Sequence, residues 1–182
     1  RDRPISSEQL LTEKIKNTTQ KYKDSVDYDI PDGYVEFEKI TGDLNNDNID
    51  DCVIVVKGTD TSKFVINDFG KLADRNRRGI LVFLSKENKH YLVSENLTCL
   101  SSDQEDGGVY FPPELYVEIS NSNLIIDYSH GRYGRWSFTF QYLQNDFRLI
   151  EFFSIESRGP IINSETNINY LTSEKTVKTN TN

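Results

Sequence analysis

Oxygen-bearing groups recur at every second position of Gly42-Asp43-Leu44-Asn45-Asn46-Asp47-Asn48-Ile49-Asp50-Asp51. Asp43, Asn45, Asp47 and Asp51 bring side-chain oxygens, and Ile49 brings its backbone carbonyl. A hard divalent cation takes six to eight oxygens at about 2.3–2.6 Å, and a tightly coiled loop with ligands at alternate positions wraps one such ion. The spacing therefore points to calcium. A solvated acidic turn is the bland account, but Asp43, Asp47, Asp50 and Asp51 crowd together and repel one another unless a cation neutralises them.

What flanks the loop restricts the fold. An EF-hand would place helices on both sides and a bidentate Glu at the twelfth position, where this chain has Ile54. Instead, Tyr34-Val35-Glu36-Phe37-Glu38-Lys39-Ile40 alternates as a strand does, and Cys52-Val53-Ile54-Val55-Val56 is an unbroken apolar run of the buried-strand type. Residues 34–57 thus read as strand, metal loop, strand. Over residues 36–57 this resembles the calcium loop of FG-GAP and VCBS-type repeats, roughly Gly-Asp-Leu-Asn-Gly-Asp-Gly-x-x-Asp followed by a hydrophobic strand. The resemblance implies structural Ca2+ held by Asp43, Asn45, Asp47, Ile49 and Asp51. Two departures qualify it. Asn46 and Asn48 stand where the pattern has glycines, and asparagine is the next best residue for a positive φ. The motif also occurs once, whereas a propeller blade needs several neighbours and shows its period in sequence. The loop is therefore expected as a borrowed unit within another β fold.

Composition bounds the remainder. A chain of 182 residues suits one domain, 1–182, able to bury roughly 70% of the surface exposed when unfolded. Net charge is −8 and the pI is near 4.8, with lysines and arginines scattered along the chain, so nucleic acid and anionic lipid are poor partners. No apolar run approaches the roughly 18 residues of a membrane span. The chain starts at Arg1 and contains no methionine, which suits a processed mature protein or one trimmed at its N-terminus. A removed signal or lipid anchor would account for that start, and extracellular calcium would fill an exposed loop of this kind. The expected location is exported, periplasmic or cell surface. Cys52 and Cys99 admit two readings. One is a disulfide closing a long loop, contributing about 3–4 kcal/mol. The other is a pair of free thiols, and the spacing matches neither a zinc site nor a redox dithiol.

The spacing predicts one helix over residues 6–23, opened by the capping box Ser6-x-x-Gln9 and carrying Leu11, Ile15, Thr18 and Tyr22 on one face. Residues 24–33 link it to the first strand through Pro31-Asp32-Gly33. Residues 57–78 are polar and irregular, a short helix or long excursion in which Phe64-Val65-Ile66 and Phe69 must anchor. Residues 79–178 read as antiparallel hairpins. Strands at 80–84 and 90–93, 115–119 and 124–128, 136–142 and 147–155, and 168–171 and 175–178 flank short polar turns. The predicted fold is mainly β, an antiparallel meander or sandwich of successive hairpins with one N-terminal helix and a frayed tail at 179–182. Trp136, Phe138, Phe140 and Tyr142 share one face of a strand; regular alternation favours core over a carbohydrate-stacking platform.

Two loops depart from ordinary connector composition. One is Ser101-Ser102-Asp103-Gln104-Glu105-Asp106-Gly107-Gly108-Val109-Tyr110-Phe111-Pro112-Pro113, and the other Ser129-His130-Gly131-Arg132-Tyr133-Gly134-Arg135. One hairpin separates them, so a meander sets them at the same end of the sheet. Glu105, Asp106, His130, Arg132 and Tyr133 are then a candidate surface for a protein or carbohydrate ligand. The plainer reading is that the glycines make tight bends and the arginines neutralise the acidic loop. A glycoside hydrolase would need two carboxylates, Glu105 or Asp106 with Glu114, about 5–9.5 Å apart across a cleft. His90 sits in a predicted strand and His130 lacks a Ser or Cys partner motif. With its N-terminal helix, single calcium loop, Glu-Asp-Gly-Gly-Val-Tyr, Gly-Arg-Tyr-Gly-Arg-Trp and terminal Asn-Tyr-Leu-Thr segments, the chain also resembles exported bacterial proteins. That resemblance implies a location and no activity. The expected function is a non-enzymatic exported binding or interaction module, with a hydrolase of envelope or dietary glycans as the alternative.

Overall fold

The computed structural model describes residues 28–67, 69–104 and 112–180. The helix expected over residues 6–23 lies outside the described residues, as do Glu105, Asp106 and the last two residues of the expected tail. Twelve strands account for most of the described chain: β1 (Tyr34–Gly42), β2 (Asp51–Gly58), β3 (Phe64–Ile66), β4 (Leu72–Asp74), β5 (Arg78–Lys86), β6 (Lys89–Leu100), β7 (Glu114–Ser120), β8 (Asn123–Ser129), β9 (Gly134–Leu143), β10 (Asp146–Arg158), β11 (Ile161–Asn169) and β12 (Glu174–Thr179). They form a four-stranded sheet ordered β1-β2-β5-β6, a two-stranded β3-β4 ribbon, and a six-stranded sheet ordered β12-β11-β10-β9-β8-β7.

The apolar run in β2 explains why that strand is interior to its sheet. Cys52 to Val56 are at most 1% exposed, so side chains on both faces are covered. β5 beside it buries Ile80, Leu81, Val82 and Phe83. β-branched side chains suit a pleated strand, and fully burying each residue of this kind is worth roughly 1.5–3 kcal/mol before chain entropy is set against it. Gly79 has a separate reason: a Cβ there would lie 2.3 Å from the backbone carbonyl carbon of Leu97 in β6.

Three hairpins close with two central residues at positive φ: Glu87 and Asn88 between β5 and β6, Asn121 and Ser122 between β7 and β8, Gln144 and Asn145 between β9 and β10. The first lies in the four-stranded sheet and the other two in the six-stranded one, so the meander expected over residues 79–178 divides. β5 pairs with β2 on one side and β6 on the other, and the continuous meander runs only from β7 to β12. Register in the larger sheet places Leu124, Ile126 and Tyr128 opposite Phe140, Phe138 and Trp136. Tyr128 stacks on Trp136 at 5.3 Å, and Phe138 and Tyr142 meet Phe152 and Phe147 across β10 at 5.2 and 5.1 Å. The aromatic row of β9 is half-buried; the covered core of this sheet is Val117, Leu124, Ile126 and Tyr128 on β7 and β8.

Other expectations change as well. The 57–78 segment contains one 3-10 turn, Thr61–Lys63, and the β3-β4 ribbon. Phe69 does not anchor it: Asn67 Oδ1 accepts from Phe69 and Lys71 N–H at 3.1 and 2.9 Å, folding the tip so that Phe69 is 72% exposed. β11 begins at Ile161, well before the strand expected at 168, because Gly159 at φ 66° turns the chain and Arg158 pairs with Ile161. Leu171 leaves that strand for the turn, where Asn169 Oδ1 accepts from Leu171 and Thr172 N–H. Thr179 is likewise no tail; it pairs with Ser164, and Asn180 N–H donates to Asn163 O at 2.8 Å. Cys52 is buried and Cys99 exposed, and neither takes part in a disulfide.

The chain divides into two compact units. One holds the described residues of Arg1–Lys39, Ile54–Leu81 and Glu95–Glu105; the other holds those of Ile40–Val53, Val82–Ser94 and Asp106–Asn182.

Candidate functional site

The loop at 43–51 belongs to the second unit and is shaped by its own side chains. Asp43 Oδ1 accepts from the N–H groups of Asn45 and Asp47, both at 3.2 Å, and its Oδ2 accepts from Asn48 at 2.8 Å. Asn45 Oδ1 accepts from Asp47 N–H at 3.0 Å, Asp47 Oδ1 from Ile49 N–H at 2.8 Å, and Asn45 Nδ2 donates to Asp47 Oδ2 at 2.9 Å. Such side-chain-to-backbone bonds reproduce a turn without strand partners, which is why Asp and Asn occupy this run. Asn46 and Asn48 adopt φ values of 62° and 64°, the left-handed conformation expected from the glycine positions of the pattern.

Two buried residues hold the loop at its ends. Leu44 is 1% exposed, and Asp51, the first residue of β2, is fully covered. Asp51 Oδ2 accepts from Leu44 N–H and its Oδ1 from Ser85 N–H in β5, both at 2.8 Å. One carboxylate thus ties the start of the loop, its end and a neighbouring strand. The loop's crest also touches the β7-β8 turn, where Ser122 Oγ donates to Asn46 Oδ1 at 2.8 Å. Gly42 sits against Ile119 of β7, with 2.8 Å left between an added Cβ and Ile119 Cγ2.

The electrostatics separate the carboxylates. Burial pushes Asp51 above the ordinary aspartate value of 3.8, and the charges of Asp47 and Asp43 push the same way, while hydrogen bonds from Ser85 and Leu44 oppose. For Asp43, desolvation acts to raise it, yet four backbone N–H bonds, led by that from Asn48, outweigh it and hold it below 3.8. Asp43 and Asp47 therefore both act on Asp51. Among the described residues, no three His, Cys, Asp or Glu side chains converge as a closed metal cluster. Asp43 and Asp51 instead direct their oxygens at backbone N–H donors. The sequence points to Asp43, Asn45, Asp47, Ile49 and Asp51 but not to Ser85 or Ser122, which bond to the loop across 34 and 76 residues of chain.

Of the second candidate group, His130, Arg132 and Tyr133 line one concavity of about 490 Å³ with Pro112 and Glu114. Pro112 and Glu114 thus lie beside the Ser129–Arg135 connection, while Glu105 and Asp106 of the expected surface lie outside the described residues. The connection is tightly made. Gly131 has φ 52° and Gly134 φ 129°, and a Cβ at Gly134 would fall 2.1 Å from Ile155 O, so only glycine fits there. Arg132 O accepts from Gly159 N–H at 3.0 Å and Ser157 Oγ at 2.9 Å, and the His130 and Tyr133 rings lie 5.3 Å apart. Arg135 Nε donates to Asp127 of β8 at 2.8 Å. Glu114 accepts from Tyr116 Oη at 2.6 Å, a bond that raises the phenol's pKa. No family of known proteins, no curated protein and no solved structure matches the chain.

Proposed function

We propose that this protein is a non-enzymatic exported binding or interaction module whose 43–51 loop holds structural calcium. The observation that carries the reading is the pair of left-handed asparagines, Asn46 and Asn48, in a loop where the charges of Asp43 and Asp47 act on Asp51. The donor set suits a hard cation: carboxylates of Asp43, Asp47 and Asp51, the amide oxygen of Asn45 and the carbonyl of Ile49. A carboxylate has about four lone-pair sites, so the N–H bonds to Asp43 and Asp51 orient these oxygens without exhausting them. Bound calcium supplies the positive charge that offsets the repulsion raising Asp51. The residues themselves close the loop, brace β2 against β5 through Asp51, and fix the β7-β8 turn through Asn46 and Ser122. The concavity of His130, Arg132 and Tyr133, in the same unit, is the recognition surface for a protein or carbohydrate ligand.

Calorimetry with calcium on chelator-treated protein tests the reading. One saturable site is expected, lost in Asp47→Ala, with a melting temperature that rises with calcium by mass action, a stabilisation of about 2.7 kcal/mol at a hundredfold excess over Kd. An unchanged melting temperature across the titration, with no heat of binding, overturns it.

A further inference from the structure

Strand β6 is an edge that carries apolar side chains. Among the described residues it ends the β1-β2-β5-β6 sheet, with β5 on one side, so its outer row of backbone N–H and C=O groups faces no strand. Tyr91, Leu92 and Val93 follow one another along it at 49%, 47% and 38% exposure. Consecutive side chains of a strand point to opposite faces, so both faces are open over this stretch. We propose that residues 89–95 of β6 pair antiparallel with the same residues of a second copy of this chain, giving a two-fold dimer.

The order of side chains is complementary to itself when reversed. With Leu92 on the two-fold axis, Lys89 stands opposite Glu95 of the second copy, His90 opposite Ser94 and Tyr91 opposite Val93, and symmetry repeats each pair. Alternation puts Lys89, Tyr91, Val93 and Glu95 on one face. That face gains opposite-charge pairs and pairs of an aromatic with a β-branched side chain, both favoured across strands. Leu92 meets its own copy on the other face. Lys89 and Glu95 are exposed, and among the described residues neither has an ion-pair partner. Their charges are therefore not committed within the chain.

The opposite case is β12, an edge of the six-stranded sheet. Paired with itself end to end, Glu174–Thr179 would set Lys175 opposite Lys178 at both symmetric places, and like charges facing each other oppose such a ladder. Pairing through β6 also closes on itself, because each copy brings one such strand and the two edges are used up together. A strand pair of this length is a small interface beside the roughly 800 Å² per partner of a standard complex, so the dimer is expected to dissociate at about 10–100 μM.

Sedimentation equilibrium of the intact chain over a concentration series, read together with amide hydrogen exchange at low and high concentration, tests the proposal. A monomer–dimer equilibrium is expected, with exchange at residues 89–95 slowing as the dimer forms. Lys89→Glu sets like charges opposite each other at both symmetric places and should raise the dissociation constant about tenfold or more, at an unchanged melting temperature of the monomer because the side chain is exposed. Adding Glu95→Lys restores opposite-charge pairs in reversed order and should return the constant to near that of the unaltered chain. A chain that stays monomeric up to about 1 mM overturns the proposal. So does a dimer that leaves exchange at residues 89–95 unchanged, or a double variant that associates no more tightly than Lys89→Glu alone.

Discussion

Asp51 closes the 43–51 loop as an acceptor of two buried N–H bonds, yet as an ion covered from solvent and acted on by Asp43 and Asp47 it is held above the ordinary aspartate value. A carboxyl whose folded pKa is raised stabilises the fold below its unfolded value of 3.8, and that contribution is lost as pH rises through the folded value. Asp43 has the opposite sign: its lowered value contributes stability above 3.8 that is lost as pH falls through the folded value. In chelator-treated protein, the Asp51 contribution to melting temperature should therefore grow as pH is brought down toward 3.8. Below that, the Asp43 contribution should disappear. Thermal melts of wild type and Asp51→Asn across this range check the assignment. A variant with the same pH profile as wild type would show that Asp51 is not the group responsible. Under the proposed calcium reading, calcium should shift the Asp51 contribution, because a cation favours the ionised form and would displace a proton on binding.

At the scale of elements, the strand ladders impose turns that the turn residues alone would not favour. Glu87-Asn88, Asn121-Ser122 and Gln144-Asn145 all place two consecutive residues at φ between 50° and 65°. That backbone matches the right-handed twist of the strands it joins and favours Asn-Gly. Glutamate, serine and glutamine are poor residues for it, so these turns are held by the ladders on either side, such as Phe147 opposite Tyr142. Replacing Gln144-Asn145 by Asn-Gly should stabilise the protein by about 1 kcal/mol. Urea unfolding should report this as a higher midpoint at unchanged slope. A midpoint that stays put or falls would mean that the turn is not strained in the folded chain.

For the whole molecule, burial grades the chain from covered strands to a bare edge. Val53, Ile54, Val55 and Val56 are 0% exposed, whereas every residue of β12 is exposed. Amide exchange should be slowest in β2 and in Leu81 and Val82 of β5, and fastest among the strands in β12, which opens by local fraying. Equal protection in β2 and β12 would contradict that gradient. Lys175 and Lys178 on β12, the latter bonded to Glu165 at 2.7 Å, put charge on an edge that would otherwise invite a further strand. The sequence by itself determined the β class, most of the hairpins, the buried run of β2 and the coiling of the 43–51 loop. Each rests on local information: alternation, an apolar run, or side chains that bond to backbone a few residues away. Only the tertiary structure decided that β5 and β6 leave the meander for β2 and that Ser85 and Ser122 complete the loop. Most of β11 also escaped the sequence reading, because Ser, Asn and Thr in Ile161–Asn169 give no hydrophobic period and are drawn into a strand by pairing with β10. These outcomes depend on which distant backbone supplies the complementary donors and acceptors, and no local pattern in the chain encodes that choice.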